Sequence, residues 1–229
     1  MLAPFLLTFY LSFAQVVGKV TYTLSLNEKQ AIKLINDNKR GNSSSNEFIL
    51  KQINEFEEVN TELNFSEYES IYKEVDILES DRSKSFNLLE AKAGGKSTFY
   101  SNISNELYFY TSKFSSKELV VYQKYKWEIK NKTKIILGFE CQKAEIISQD
   151  DKKRVAWFTK EIPLPFGPYR YHGLPGLVLL YEEDEGLLIL KAVSISFDDE
   201  IEINKPEGEL IDEETHKEKL KKNSPLFKN

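Results

Sequence analysis

Short runs of aromatic and β-branched residues, separated by polar breaks, recur along most of this chain, and that spacing constrains the fold more than any other feature. Residues of this type suit a pleated, half-buried surface. Runs this short, closely following one another, predict many strands and not an alternation of strand and helix. The runs are GKVTYTLSL (18–26), TELNFSEYESIY (61–72), STFYSNIS (97–104), ELYFYTS (106–112), KELVVYQKY (117–125), TKIILGFECQKAEIIS (133–148), RVAWFTKEIPL (154–164), LVLLYEE (177–183) and LLILKAVSISF (187–197). The three between 97 and 125 read as consecutive strands of a meander.

The last two runs flank Glu183-Asp184-Glu185-Gly186, a polar turn in which the glycine supplies a positive φ, so they form a hairpin. Both are apolar at nearly every position, which places the hairpin centrally with both faces covered, whereas ELYFYTS and KELVVYQKY alternate in part and leave one face wet. Between Ser45 and Val59, Ile49, Ile53 and Phe56 fall at i, i+4 and i+7, the stripe of a helix lying across the sheet. Residues 36–46 and 80–97, the latter with Gly94-Gly95, read as surface loops. From Lys205 the chain is highly charged. Its Glu213 to Lys217 and Glu218 to Lys222 spacings support an exposed helix, while its scarcity of apolar residues is equally compatible with disorder. The expected fold is mainly β (α+β): an open, curved antiparallel sheet or half-barrel with one or two covering helices, a single domain over 15–204 followed by a charged tail at 205–229.

The first fourteen residues, MLAPFLLTFYLSFA, are apolar or small, carry no charge and end in Ser12-Phe13-Ala14 before Gln15, which reads as a cleavable signal peptide at 1–14. The run is too short to cross a hydrocarbon core that needs roughly 20 helical residues. Export to the periplasm or the medium is therefore expected, with no transmembrane segment. The remaining chain, about 215 residues, is long enough to bury roughly 70% of its unfolded surface. With 36 acidic against 31 basic side chains and no basic stripe, nucleic acid is not an expected partner. A lone cysteine, Cys141, forms no internal disulfide, so packing alone must stabilise the domain.

His172, His216 and Cys141 are too few and too scattered for a closed zinc site. Glycine-rich phosphate loops, GxSxG, HExxH and calcium loops are likewise missing from the sequence, so no metal or cofactor is expected. The acidic turn Glu182 to Glu185 offers carboxylates to a hard cation, but a solvated hairpin turn is the plainer reading. Cys141, in the strand-like GFECQKAEII, reads as a small buried hydrophobe; a reactive thiol would need a cation such as Lys143 beside it in space.

The segment Ala156 to Leu180, AWFTKEIPLPFGPYRYHGLPGLVLL, interrupts strand-forming residues with four prolines and three glycines and must be a shaped loop. Pro163 and Pro165 cannot donate to a ladder, so the strand carrying Trp157 ends or reaches an edge there. Leu174-Pro175-Gly176-Leu177 fits a type II turn. Two readings are open. In one, Pro163, Gly167, Pro168, Gly173, Leu174, Pro175 and Gly176 brace a rigid crossover that binds nothing. In the other, Tyr169, Arg170, Tyr171 and His172, with Trp157, present aromatic faces, a cation and an imidazole to a ligand or partner. Arg170 could then grip a partner's carboxylate bidentately.

Ala156-Trp157-Phe158-Thr159, Glu161-Ile162-Pro163, Gly167-Pro168 and Gly173-Leu174-Pro175-Gly176-Leu177 occur in that order, preceded by Gly138, Cys141, Lys143 and Ala144. In this the chain resembles the GLPGLI proteins, exported proteins of uncharacterised function from bacteria of the Bacteroidetes group. Val178 stands where that family has isoleucine, a swap a buried strand tolerates. The resemblance implies an envelope or secreted location and carries over no catalytic residue. The expected role is non-catalytic binding of an envelope protein or of an apolar or peptide ligand. Two alternatives are an accessory protein of an outer-membrane transporter, and a hydrolase pairing His172 with a distant Ser and Asp or Glu.

Overall fold

In the computed structural model the described residues are 16–37, 57–75, 89, 93–112, 115, 117–146, 154–183, 186–198 and 200–223. Strand β1 (Gly18–Leu26) shows how the sheet is built: Val20, Tyr22 and Leu24 point into the core while the residues between them are only half-buried. It is flanked by β2 (Val59–Phe65) on one side and β11 (Leu188–Phe197) on the other, both antiparallel. From β2 the sheet continues through β3 (Glu69–Glu74), β4 (Phe99–Asn102), β5 (Leu107–Thr111) and β6 (Glu118–Val121). From β11 it continues through β10 (Leu177–Glu183), β9 (Arg154–Thr159), β8 (Phe139–Ile146) and β7 (Trp127–Ile136). A last strand, β12 (Glu209–Asp212), adds to the free side of β6 and completes a 12-stranded open sheet.

The 97–125 meander and the β10–β11 hairpin follow the sequence expectation, and Gly186 takes its positive φ, +86°. Three points differ. The runs 61–72 and 133–148 are each a hairpin, folding at 66–68 and at Leu137-Gly138. β10 is buried on both faces, but β11 on one only: Leu188, Leu190 and Ala192 are buried, Lys191 on the opposite face is exposed, and beyond Ala192 Val193 and Phe197 are exposed as well. The sheet is mixed, because β12 lies parallel to β6. The chain leaves β11 near the middle of the strand order and must cross several strands before it adds to the far edge. On the way Ile203 packs with Tyr100, Phe109 and Leu119, which form a separate small core.

Two helices are present among the described residues. α1 (Glu28–Asp37) follows β1 and is capped by Asn27, whose side-chain oxygen accepts the Gln30 N–H. α2 (Glu213–Asn223) is capped by Asp212, which accepts from both the backbone and the hydroxyl of Thr215. The charged C-terminal stretch is thus helical over 213–223, and the helix expected over 45–59 lies largely outside the described residues.

The core is dense in aromatic rings. Tyr22, Tyr72, Tyr100, Phe65, Phe109, Phe158 and Phe166 are all fully buried. Buried tyrosines need partners for their hydroxyls. Tyr22 meets this by reaching past β11 to donate to the Val178 carbonyl on β10 at 2.6 Å, beside the register shift between Val178 and Leu180. Tyr22→Phe should cost about 1–3 kcal/mol, the range for a buried acceptor left unsatisfied, read as a lower urea midpoint with unchanged slope.

Candidate functional site

The loop between β9 and β10 is shaped by its prolines. Leu164 N donates to Ile162 O, Phe166 N to Leu164 O and Gly176 N to Leu174 O, each at 2.8 Å, so Pro163, Pro165 and Pro175 each sit at the centre of a three-residue γ-turn. The φ that proline imposes matches the centre of an inverse γ-turn. This corrects the type II turn expected at Leu174–Leu177, because Gly176 does not take a positive φ. Glycine is required there by space: a Cβ would lie 2.0 Å from the carbonyl oxygen of Thr159. Gly167 is in the same position, 2.0 Å from Tyr171 O. Leu177 N and Val178 N then donate to Ile162 O and Phe166 O, which ties the loop to the start of β10.

A second turn carries the candidate side chains. Tyr171 N donates to Pro168 O at 3.0 Å, and Tyr169 lies in the left-handed region at φ +55°. A bulky residue there is strained and persists only where surrounding contacts hold it. Tyr169 has such contacts: its ring centroid lies 4.5 Å from Phe99 on β4 and 5.5 Å from Tyr171. Tyr171 stacks on Tyr181 of β10 at 3.4 Å and faces Tyr125. β4 and β10 are five places apart in the sheet, about 24 Å if it were flat. One loop touching both shows that the sheet curls around it.

His172 is 2% exposed, its ring stacked on Tyr108 at 4.8 Å and its Nε2 3.2 Å from the Tyr122 hydroxyl. Burial, reinforced by Lys124 and Arg170, lowers its pKa to about 3, so the imidazole is neutral. Its carbonyl accepts the Trp127 indole N–H. Arg170 lies over the Tyr122 ring at 4.5 Å and makes two parallel bonds to Glu213 of α2. Trp157 stands apart: it donates to Glu182 at 3.0 Å and carries Lys134 over its face at 4.0 Å. Cys141 is buried, and burial pushes its thiol up to about 11.

The sequence reading missed a second feature, at the β7–β9 end. Asn131, Thr133, Glu140, Gln142, Lys160 and Glu161 surround an open cavity of about 340 Å³ above Phe158. Thr133 pairs with Gln142 and Ile135 with Glu140 across the β7–β8 ladder, so these four share a face. Glu161 accepts the Glu140 N–H, and Gln142 donates to Lys130 O. Two exposed isoleucines, Ile129 and Ile135, lie on β7 beside it. The polar alternation of β7 and β8 was visible in the sequence, but Lys160 and Glu161 join them only through the β8–β9 pairing.

A family model described as a protein of unknown function, Porph_ging, matches residues 147–180, which include β9, the proline loop and the start of β10. No curated protein matches the sequence. The fold is similar to that of PNGF-II, in its P21 space-group structure (TM-score 0.56, 16% identity, 89% of this chain and 32% of that one) and in its C2 structure (TM-score 0.56, 16% identity, 90% and 32%). This chain therefore spans about a third of the length of those structures, and the likeness is one of fold.

Proposed function

We propose that this chain is an exported, non-catalytic binding protein of the bacterial envelope, of the GLPGLI type, whose partner-facing surface is the polar cavity at the β7–β9 end. The observation that carries this reading is a concave site where amide, hydroxyl, carboxylate and ammonium groups converge beside exposed isoleucines. The apolar segment 1–14, read as a signal peptide, supports the location. A hydrolytic centre finds less support, because His172 is buried, its lowered pKa makes it a weak general base, and it faces a tyrosine hydroxyl whose ionisation burial opposes.

Thr133→Arg combined with Lys160→Glu should leave the fold intact, both side chains being exposed, and reduce partner capture from a Bacteroidetes envelope fraction by at least about ten-fold, the equivalent of 1.4 kcal/mol. Capture of the same proteins by both forms would reject the cavity as the partner surface. Enrichment of an outer-membrane transporter by the unmodified chain alone would narrow the role to a transporter accessory. Cell fractionation tests the location: retention of the intact chain in the cytoplasm would reject export.

A further inference from the structure

Arg170 is gripped by a carboxylate of the chain itself. Its Nη1 donates to Glu213 Oε1 at 2.9 Å and its Nη2 to Glu213 Oε2 at 3.1 Å, the fork geometry by which arginine selects carboxylates. The guanidinium lies over Tyr122 and within 5.8 Å of the Tyr125 ring centroid, its side chain is 17% exposed, and its Nε is buried with no hydrogen-bond partner among the described residues. Pro168 and the strained Tyr169 fix the backbone that presents it. A cation this enclosed needs a carboxylate.

The carboxylate comes from a lightly anchored segment. β12 is four residues long, and its pairing with β6 is the one parallel ladder among the described strands. Ile211 and His216 are its buried side chains, and its further ties include Glu209 N to Lys117 O at 2.7 Å, the edge-on contact of His216 with Tyr110, Lys219 to Glu118 at 2.8 Å and His216 to Glu118 at 3.4 Å. α2, EETHKEKLKKN, has almost no apolar face with which to bind the sheet. Short ladders, charge contacts and little apolar burial mark the parts of a protein that open locally.

We propose that Arg170, Tyr122, Tyr125 and the β6 edge form a receptor for an extended segment of a partner protein that carries a carboxylate, and that Glu209–Asn223 is an internal occupant which such a segment displaces. The partner strand takes the place of β12 along β6 and sets its carboxylate on Arg170, as Glu213 does directly after β12. Strand addition of this kind draws affinity from main-chain bonds and specificity from the side-chain anchor. This goes beyond the cavity reading and rests on none of its residues. The internal copy competes at an effective concentration of order millimolar, so weakening it strengthens binding from outside.

The test uses the full chain and a fluorescent peptide of residues 208–222 as the probe. Glu213→Gln in the protein should raise peptide affinity by at least about ten-fold over the unmodified chain. Adding Arg170→Gln to that variant should remove the gain, and a peptide with its own Glu213→Gln should show none. Equal affinity for unmodified and Glu213→Gln protein, or a gain that survives Arg170→Gln, overturns the proposal. Dimers of the Glu213→Gln protein that exclude the peptide would make a second copy the occupant and overturn the partner assignment. Should that variant not fold, amide exchange in the unmodified chain decides: Leu210–Asp212 should exchange by local opening, far faster than Tyr22 or Leu63, and exchange only with global unfolding overturns displacement.

Discussion

Gly176→Ala will destabilise the protein by at least about 3 kcal/mol, the upper part of the range for overpacking a filled site. The new methyl would stand 2.0 Å from Thr159 O, 2.7 Å from Thr159 C and 3.2 Å from Lys160 Cα, all backbone atoms with no rotamer to give way. Relief requires β9 and β10 to part where Leu177 pairs with Thr159. That movement strains the bonds from Leu177 N to Ile162 O and from Val178 N to Phe166 O that close the loop. Gly186→Ala is the control: its Cβ meets nothing within 4 Å, but its φ of +86° penalises a side chain by about 1 kcal/mol. Chemical denaturation of the two variants measures the difference. If Gly186→Ala proves the more damaging, the space argument for the GLPGL segment is wrong.

The requirement for glycine at 176 is not contained in its local sequence. A Pro-Gly pair between apolar runs announces a turn, but the choice between a glycine needed for its φ and one needed for its missing Cβ depends on what lies opposite. Thr159 lies opposite through strand pairing, at 17 residues' remove. The strands themselves were legible because β-branched and aromatic alternation is local: β1, the 97–125 meander and the β10–β11 hairpin follow it directly. Hairpins with turns such as Leu137-Gly138 read as single runs because the turn interrupts the apolar pattern too briefly. β12 was hidden by its charge and its length, since four residues carry no measurable period.

The chemistry that the proline-loop side chains offer is legible in the sequence, but the groups they meet in the fold are not. Arg170 pairs with a carboxylate of the chain itself, and nothing local identifies that carboxylate as Glu213, 43 residues away. Tyrosines 108, 122, 125 and 181 looked like ordinary strand and meander residues. They become the walls around Tyr171 and His172 only because the sheet curls, a property of the whole topology that no window of sequence contains.

The same walls make His172 the clearest source of acid sensitivity. In the folded chain its pKa is lowered to about 3, whereas in the unfolded chain it should lie near 6.5. The sign follows from proton counts. From about pH 7.5 upward both states are neutral and the contribution is fully present. As pH falls through 6.5 the unfolded chain takes up a proton that the folded chain refuses, so stability is lost progressively down to about pH 3. Two pH units below the unfolded value, near pH 4.5, the loss should be about 2.7 kcal/mol. His172→Gln keeps a polar group for the Tyr122 hydroxyl and removes the titration. It should be less stable than the unmodified chain near pH 7, where the stack on Tyr108 is lost, but its stability should change by about 2.3 kcal/mol less between pH 6.5 and 4.5, the unfolded imidazole being already half protonated at the upper end. Asp212 and Glu118, whose carboxyls are held low by Thr215 and by Lys219 respectively, act in both proteins and cancel in the comparison. Urea midpoints across that pH range give the answer, and parallel curves for the two proteins would mean that the imidazole is protonated within the fold and the buried neutral state is wrong.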